Sequence, residues 1–239
     1  YLLPLYIYSQ ENHPELFKSA RINSNKGDIN IYYNPLLDHY DLYFVKLDLE
    51  VTDQSTYISG NVSLHAKTTQ QLDTLIFDFS NDMTVDSLFI NDSKVNHTHQ
   101  NNIIQYIFDT PLNKHDQFKA QVYYHGTPST NGGVTNAYSS QWDKKMTWTL
   151  SESFHAYEWW PCKQVLSDKI DSSYIFLTCD NDCKAGSNGL LTSVINLPGN
   201  KKRFEWKTFY PINYYLISFA VSEYQEYTNY ANPVGKDPI

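Results

Sequence analysis

The stretch "LYFVKLDLEV", Leu42 to Val51, decides the fold class. Val45, Leu47, Leu49 and Val51 fall on one side of an extended chain, and Lys46, Asp48 and Glu50 on the other. Successive side chains of a strand point to opposite faces, so this period of two predicts a strand with one dry and one wet face. "YISGNVSLHAK", Tyr57 to Lys67, repeats the pattern, with Ile58, Val62, Leu64 and Ala66 inward and Asn61, Ser63, His65 and Lys67 outward. The polar run "TDQST" between them reads as a hairpin loop.

Working outward, short strands are predicted at "DTLIFDF", "TVDSLFIN", "NIIQYIFD" and "DQFKAQVYYHG", each bounded by Asn, Asp, Pro or Gly. Further strands follow at "MTWTL", "SSYIFLTC", "GLLTSVIN", "KRFEWKTFY" and "YYLISFAVSEY". Strands this closely spaced, with no helical pattern between them, predict an all-β domain of antiparallel sheets stacked face to face. One short helix is expected near the start, at "HPELFKSARI", where Pro14 suits a first turn, Glu15 the N-terminal dipole and Arg21 the C-terminal end. Residues 127–145, "TPSTNGGVTNAYSSQWDKK", show no sustained alternation and read as a long loop. The organisation expected is an extension over 1–37 and one β domain over 38–239.

The 239 residues are 41% hydrophobic, with 20 Tyr and 12 Phe, which is ample for a packed core. The formal charge of −8 and the lack of a basic run argue against nucleic acid as a partner. No apolar run reaches the roughly 18 residues that a membrane-spanning helix needs. The opening "YLLPLYIYSQ" reads either as the end of a secretory signal or as a first strand; the lean is to a secreted or periplasmic protein, with a cytoplasmic one as the alternative. Of the three cysteines, Cys179 and Cys183 in "CDNDC" flank a turn and are read as a local disulfide or as two free thiols, while Cys162 has no evident mate.

Several chemistries have no motif here. There is no G-x-S-x-G, no glycine-rich phosphate loop and no H-E-x-x-H. His97 and His99 lack the further ligands that zinc requires, and His65 and His125 lie on the polar sides of their strands. Ser151, His155 and Glu158 are too close together along the chain for a catalytic relay, which converges groups from separate elements around an oxyanion hole.

The stretch "SESFHAYEWWPC", Ser151 to Cys162, carries the functional signal. It resembles the N-terminal domain of the zinc aminopeptidase N family, gluzincin exopeptidases with a motif near T-Q-x-E-x-x-x-A-R-x-x-F-P-C-x-D-E-P-x-x-K. Thr149, Glu152, Ala156, Pro161, Cys162 and Lys169 match in register. Leu150, Tyr157, Trp160, Gln164, Val165 and Leu166 depart from it. "GSNGLL", residues 186–191, and "WKTFYPINYYLISFAVSEY", Trp206 to Tyr224, resemble later segments of the family in the same order.

The resemblance spans residues 38–227 and implies a saddle-like, distorted β sandwich packed against a downstream catalytic domain of the same chain. It implies that the Glu152 carboxylate binds the free α-amino group of peptide substrates, through charge-assisted hydrogen bonds to a compact cation. Trp159, Trp160, Pro161 and Cys162 are expected to pack the turn that aims Glu152. Phe154 and Tyr157 are expected either to line the pocket for the first substrate side chain or to join the core. Zinc is implied for the parent enzyme and not for this stretch, which is expected to be inactive alone. The competing reading is an extracellular β sandwich that binds glycans or proteins through exposed Tyr and Trp, without catalysis.

Overall fold

The computed structural model describes residues 21–22, 29–30, 34–129, 133–227 and 234–235. Most of the expected helix over 13–22 lies outside the described residues. Its last two residues, Arg21–Ile22, form strand β1, antiparallel to β2, Ile29–Asn30. Ile22 opposes Ile29 there.

The main body begins with the 3₁₀ turn Pro35–His39, capped by the Asn34 side chain, which accepts from Leu36 N. There follow β3 (Tyr40–Val51), β4 (Ile58–Thr68), β5 (Leu72–Asp78), β6 (Met83–Ile90), β7 (Ser93–Val95), β8 (Thr98–Gln100), β9 (Ile103–Leu112) and β10 (Gln117–Gly126). The second half holds β11 (Val134–Ser139), β12 (Lys144–Thr149), β13 (Ser172–Asp180), β14 (Lys184–Ser187), β15 (Leu190–Leu197), β16 (Lys201–Thr208) and β17 (Phe219–Ser222).

The all-β class is as expected, in three main sheets. An eight-stranded sheet runs β15-β16-β13-β3-β4-β10-β6-β7, a four-stranded sheet β11-β12-β17-β14, and a three-stranded sheet β5-β9-β8. The predicted inward residues of β3 and β4 face a common core: Val45, Leu47, Leu49, Val62, Leu64 and Ala66 are each at most 1% exposed. Each of these valines and leucines contributes about 1.5–3 kcal/mol by leaving water, which is why the register of this hairpin is strongly specified. Tyr40 against Phe77, and Phe79 against Tyr124, lay the three-stranded sheet over the large one with edge-on ring contacts. Trp206 Nε1 donates to Ala185 O at 2.9 Å and ties the four-stranded sheet to it as well.

Two expectations change. The large sheet is not wholly antiparallel, because β13 runs parallel to β3, with Leu47 opposite Ile175 and Leu49 opposite Leu177. Alternation records which face a side chain takes and carries no information on strand direction. The expected loop 127–145 contains a hairpin, with Val134 opposite Thr149 and Asn136 opposite Thr147. Its alternation is masked because Asn136 turns inward to bond with Asp53 O at 2.6 Å and Thr147 Oγ1 at 2.8 Å, a polar residue doing an apolar residue's job.

All three cysteines are buried and none forms a disulfide, so the disulfide reading of Cys179 and Cys183 is not the one adopted. Burial pushes both the Cys179 and Cys183 thiols up to about 12, the nearby Asp53 charge adding to the effect at Cys183.

Candidate functional site

At the end of β12 the chain leaves the four-stranded sheet and makes the turn that carries Glu152. Thr149 fastens the strand's end, its hydroxyl accepting from Phe219 N at 3.0 Å. Leu150 N donates to Gly133 O at 2.8 Å. Ser151 is buried, and its hydroxyl accepts from Trp159 Nε1 at 2.9 Å. Glu152 itself is exposed and adopts φ +44°, the left-handed region that L side chains avoid at a cost of roughly 1–2 kcal/mol. Beyond it, Ser153 O accepts from Tyr214 Oη at 2.7 Å, and His155 N closes the turn onto Ser151 O at 2.8 Å. The backbone on both sides of Glu152 is therefore pinned while its side chain faces outward.

The root of the turn is built on Glu158. Its carboxylate, on the 3₁₀ turn Ala156–Glu158, accepts from His155 Nδ1 at 2.8 Å on one oxygen and from Gly133 N at 2.8 Å on the other. Gly133 approaches so closely that a Cβ would lie 2.5 Å from His155 O and 3.0 Å from the Trp159 ring, so only glycine fits. The Glu158 hydrogen bond raises the pKa of His155, burial opposing it and the nearby Glu152 charge adding to it.

Trp159, Trp160 and Cys162 are fully buried, and Tyr157 is 7% exposed within the same core. Trp159 packs edge-on against Phe219. Cys162 forms an isolated β-bridge with Asp78. Phe154 is half-buried. After the bridge, Lys163 is buried against Asp168 and donates to Tyr40 O, its ammonium 4.6 Å from the Tyr40 ring centroid. Burial raises Asp168 to about 6, against the pull of Lys163.

The other candidates separate. Ser151 is engaged by Trp159, so it does not complete a relay with His155 and Glu158. His99 stacks on Phe79 and hydrogen-bonds Phe79 O at 3.1 Å, and burial lowers its pKa. His125 pairs with Asp86, and His65 rests against the Phe44 ring. Among the described residues no group of three His, Cys, Asp or Glu side chains is placed to hold a metal ion, and no helix is long and apolar enough to cross a membrane.

Beside the turn lies a shallow cavity of about 460 Å³, lined by Met146, Trp148 and Thr149 of β12, by Gly186, Ser187 and Asn188, and by Ser218, Phe219, Ala220 and Tyr224. Neither Tyr157 nor Phe154 lines it. Asn188 Oδ1 accepts from Ser218 N at 2.8 Å, and Gly189, at φ +91°, brings the chain within 2.2 Å of Lys207 O for any Cβ placed there. The sequence motif at 186–189 thus shapes one wall of this cavity. Glu158's pairing with Gly133 and the grouping around Trp148 were not anticipated from the sequence; the one local signal was Met146 and Trp148 alternating on one face of β12.

This arrangement of sheets has close counterparts among solved structures. Those of an M1 zinc metallopeptidase from Deinococcus radiodurans superpose on 77% of the chain at TM-scores of 0.69 for a point mutant, 0.66 for that mutant bound to a Tyr-Ser-Ala substrate, and 0.67 for the unmutated protein. Identity is 19–20%, a likeness of fold. The chain spans 42% of the length of those structures. No protein-family profile matches, and no curated protein matches.

Proposed function

We propose that this chain is the N-terminal domain of a zinc aminopeptidase and supplies the Glu152 carboxylate that receives the substrate's free α-amino group. The observation that carries this reading is the state of Glu152: an exposed carboxylate on a strained left-handed backbone whose flanking residues are fixed by Trp159, Tyr214 and Gly133. Backbone strain at an exposed tip, held by bonds around it, is characteristic of residues placed for a ligand. An anion so held accepts hydrogen bonds from a primary ammonium, and a peptide lacking a free N-terminus offers no such cation. The fold shared with M1 zinc metallopeptidases and the register of Thr149, Glu152, Ala156, Pro161 and Cys162 support the same reading.

The zinc, the peptide-cleaving step and the wall opposite Glu152 belong in this proposal to a catalytic domain elsewhere in the longer protein. The exposed apolar side chains near the turn suit contact with such a domain: Leu150 is 62% exposed, and Leu216, on the segment anchored by Tyr214, is 48% exposed. The test is Glu152→Ala in the full-length enzyme. Losing a charge-assisted hydrogen bond costs about 1.5–3 kcal/mol, so kcat/KM on free-amine peptides should fall tenfold or more. Unchanged kinetics would remove Glu152 from the site.

A further inference from the structure

The two edges of the eight-stranded sheet are built differently. One edge, β7, is three residues long and carries Lys94, the kind of short, charged strand that resists pairing with another chain. The other, β15, runs over eight residues without a charged side chain or a proline, and among the described residues it pairs only with β16. A register shift between Leu191 and Ser193 interrupts its start; Ser193–Leu197 then run in step with β16, Ile195 opposite Arg203 and Leu197 opposite Lys201. Half of the backbone N–H and C=O groups of an edge strand point away from its sheet, so these five residues present a row of donors and acceptors about 17 Å long. Apolar side chains flank that row on both faces. Val194 is 49% exposed on the side of the buried Phe204, and Ile195 is 39% exposed on the side of Arg203. Leu190, 77% exposed, stands opposite Lys207, two residues before the exposed Phe209, and extends the patch at that end.

We infer that β15 is a self-association edge, which pairs antiparallel with β15 of a second copy of this chain and continues the sheet across a two-fold axis. The chemistry of the strand selects that occupant. It bears no charge with which to recruit a charged partner, and its own antiparallel image brings no like charges together, although the chain as a whole carries −8. A pair centred on Ile195 sets Ile195 against Ile195 and Leu197 against Ser193, each contact being made twice, as a closed two-fold assembly requires. An edge of this length makes a small interface, so the association belongs in the micromolar range. The inference is independent of the role given to Glu152.

The test is sedimentation equilibrium of the full-length protein across that concentration range. Wild type should pass from monomer to dimer, with slower hydrogen exchange at the Ser193–Leu197 amides in the dimer. Ile195→Glu faces Arg203 within its own chain but sets like charges across the axis, and should weaken dimerisation by roughly tenfold or more. Val194→Lys should do the same from the other face, while Ser93→Glu on the β7 edge should leave the dimer unchanged; circular dichroism checks that each variant is folded. A monomer at every concentration would overturn the inference, and slow exchange of the β15 amides in that monomer would show that another part of the longer chain covers the edge. A dimer indifferent to both β15 substitutions, or assemblies that grow beyond two copies, would overturn it as well.

Discussion

Glu152 and Glu158 sit on one turn, six residues apart, and have opposite fates. The first is exposed at the tip on a left-handed backbone; the second is buried at the root, with both oxygens occupied by His155 and Gly133. A carboxylate with all its partners inside the protein serves the fold, whereas one left without them at a rigid tip is free for a ligand. On the function proposed above, the two halves of the motif would divide the labour, and substitutions in each half should separate stability from binding.

The largest effect belongs to the root. Trp159→Ala removes a fully buried ring and the donor to Ser151 and should cost about 3–5 kcal/mol in denaturant unfolding. A loss under 1 kcal/mol, on the order of a surface change, would mean that the root does not hold the tip. Glu158→Ala strands the Gly133 amide and the His155 ring and should cost about 1–3 kcal/mol, with faster hydrogen exchange at Gly133. At the tip the sign reverses. Glu152→Gly relieves the positive φ and should stabilise the fold by about 1 kcal/mol; a destabilised variant would show that Glu152 belongs with the root.

The smallest effect is the pH dependence. The folded pKa of His155 lies above 6.5, so its contribution is complete below that value and is lost as pH rises through the folded pKa. The stability gap between wild type and His155→Gln should narrow with rising pH above 6.5. Asp168, raised from 3.8 to about 6, contributes with the same sign in a lower window, complete below 3.8 and lost as pH climbs through about 6. Comparing Asp168→Asn with wild type over that window separates the two groups. A gap that widens with pH in either window would contradict the environment described.

Much of the fold was legible because burial imposes a period on the sequence. Leu47, Leu49, Val62 and Leu64 had to share a face, and they do. Thr149, Glu152, Pro161 and Cys162 pointed to this turn through the resemblance, and Trp159 and Trp160 are fully buried in the core behind it. Tyr157, open to two readings, joined the core. What stayed hidden involved partners distant in sequence. Nothing near Glu158 announces Gly133, 25 residues earlier, and nothing near Trp148 announces Gly186 or Ala220.

The amino-acid order alone determined the strand faces and the all-β class, since each depends on the periodicity or residue types of a short segment. Only the tertiary structure decided that β13 runs parallel to β3, that Cys179 and Cys183 are buried apart from any disulfide, which of two glutamates is exposed, and that residues of three separate strands line a cavity beside it. Those outcomes depend on which distant segments meet, and contacts across the chain leave no period in the sequence to read.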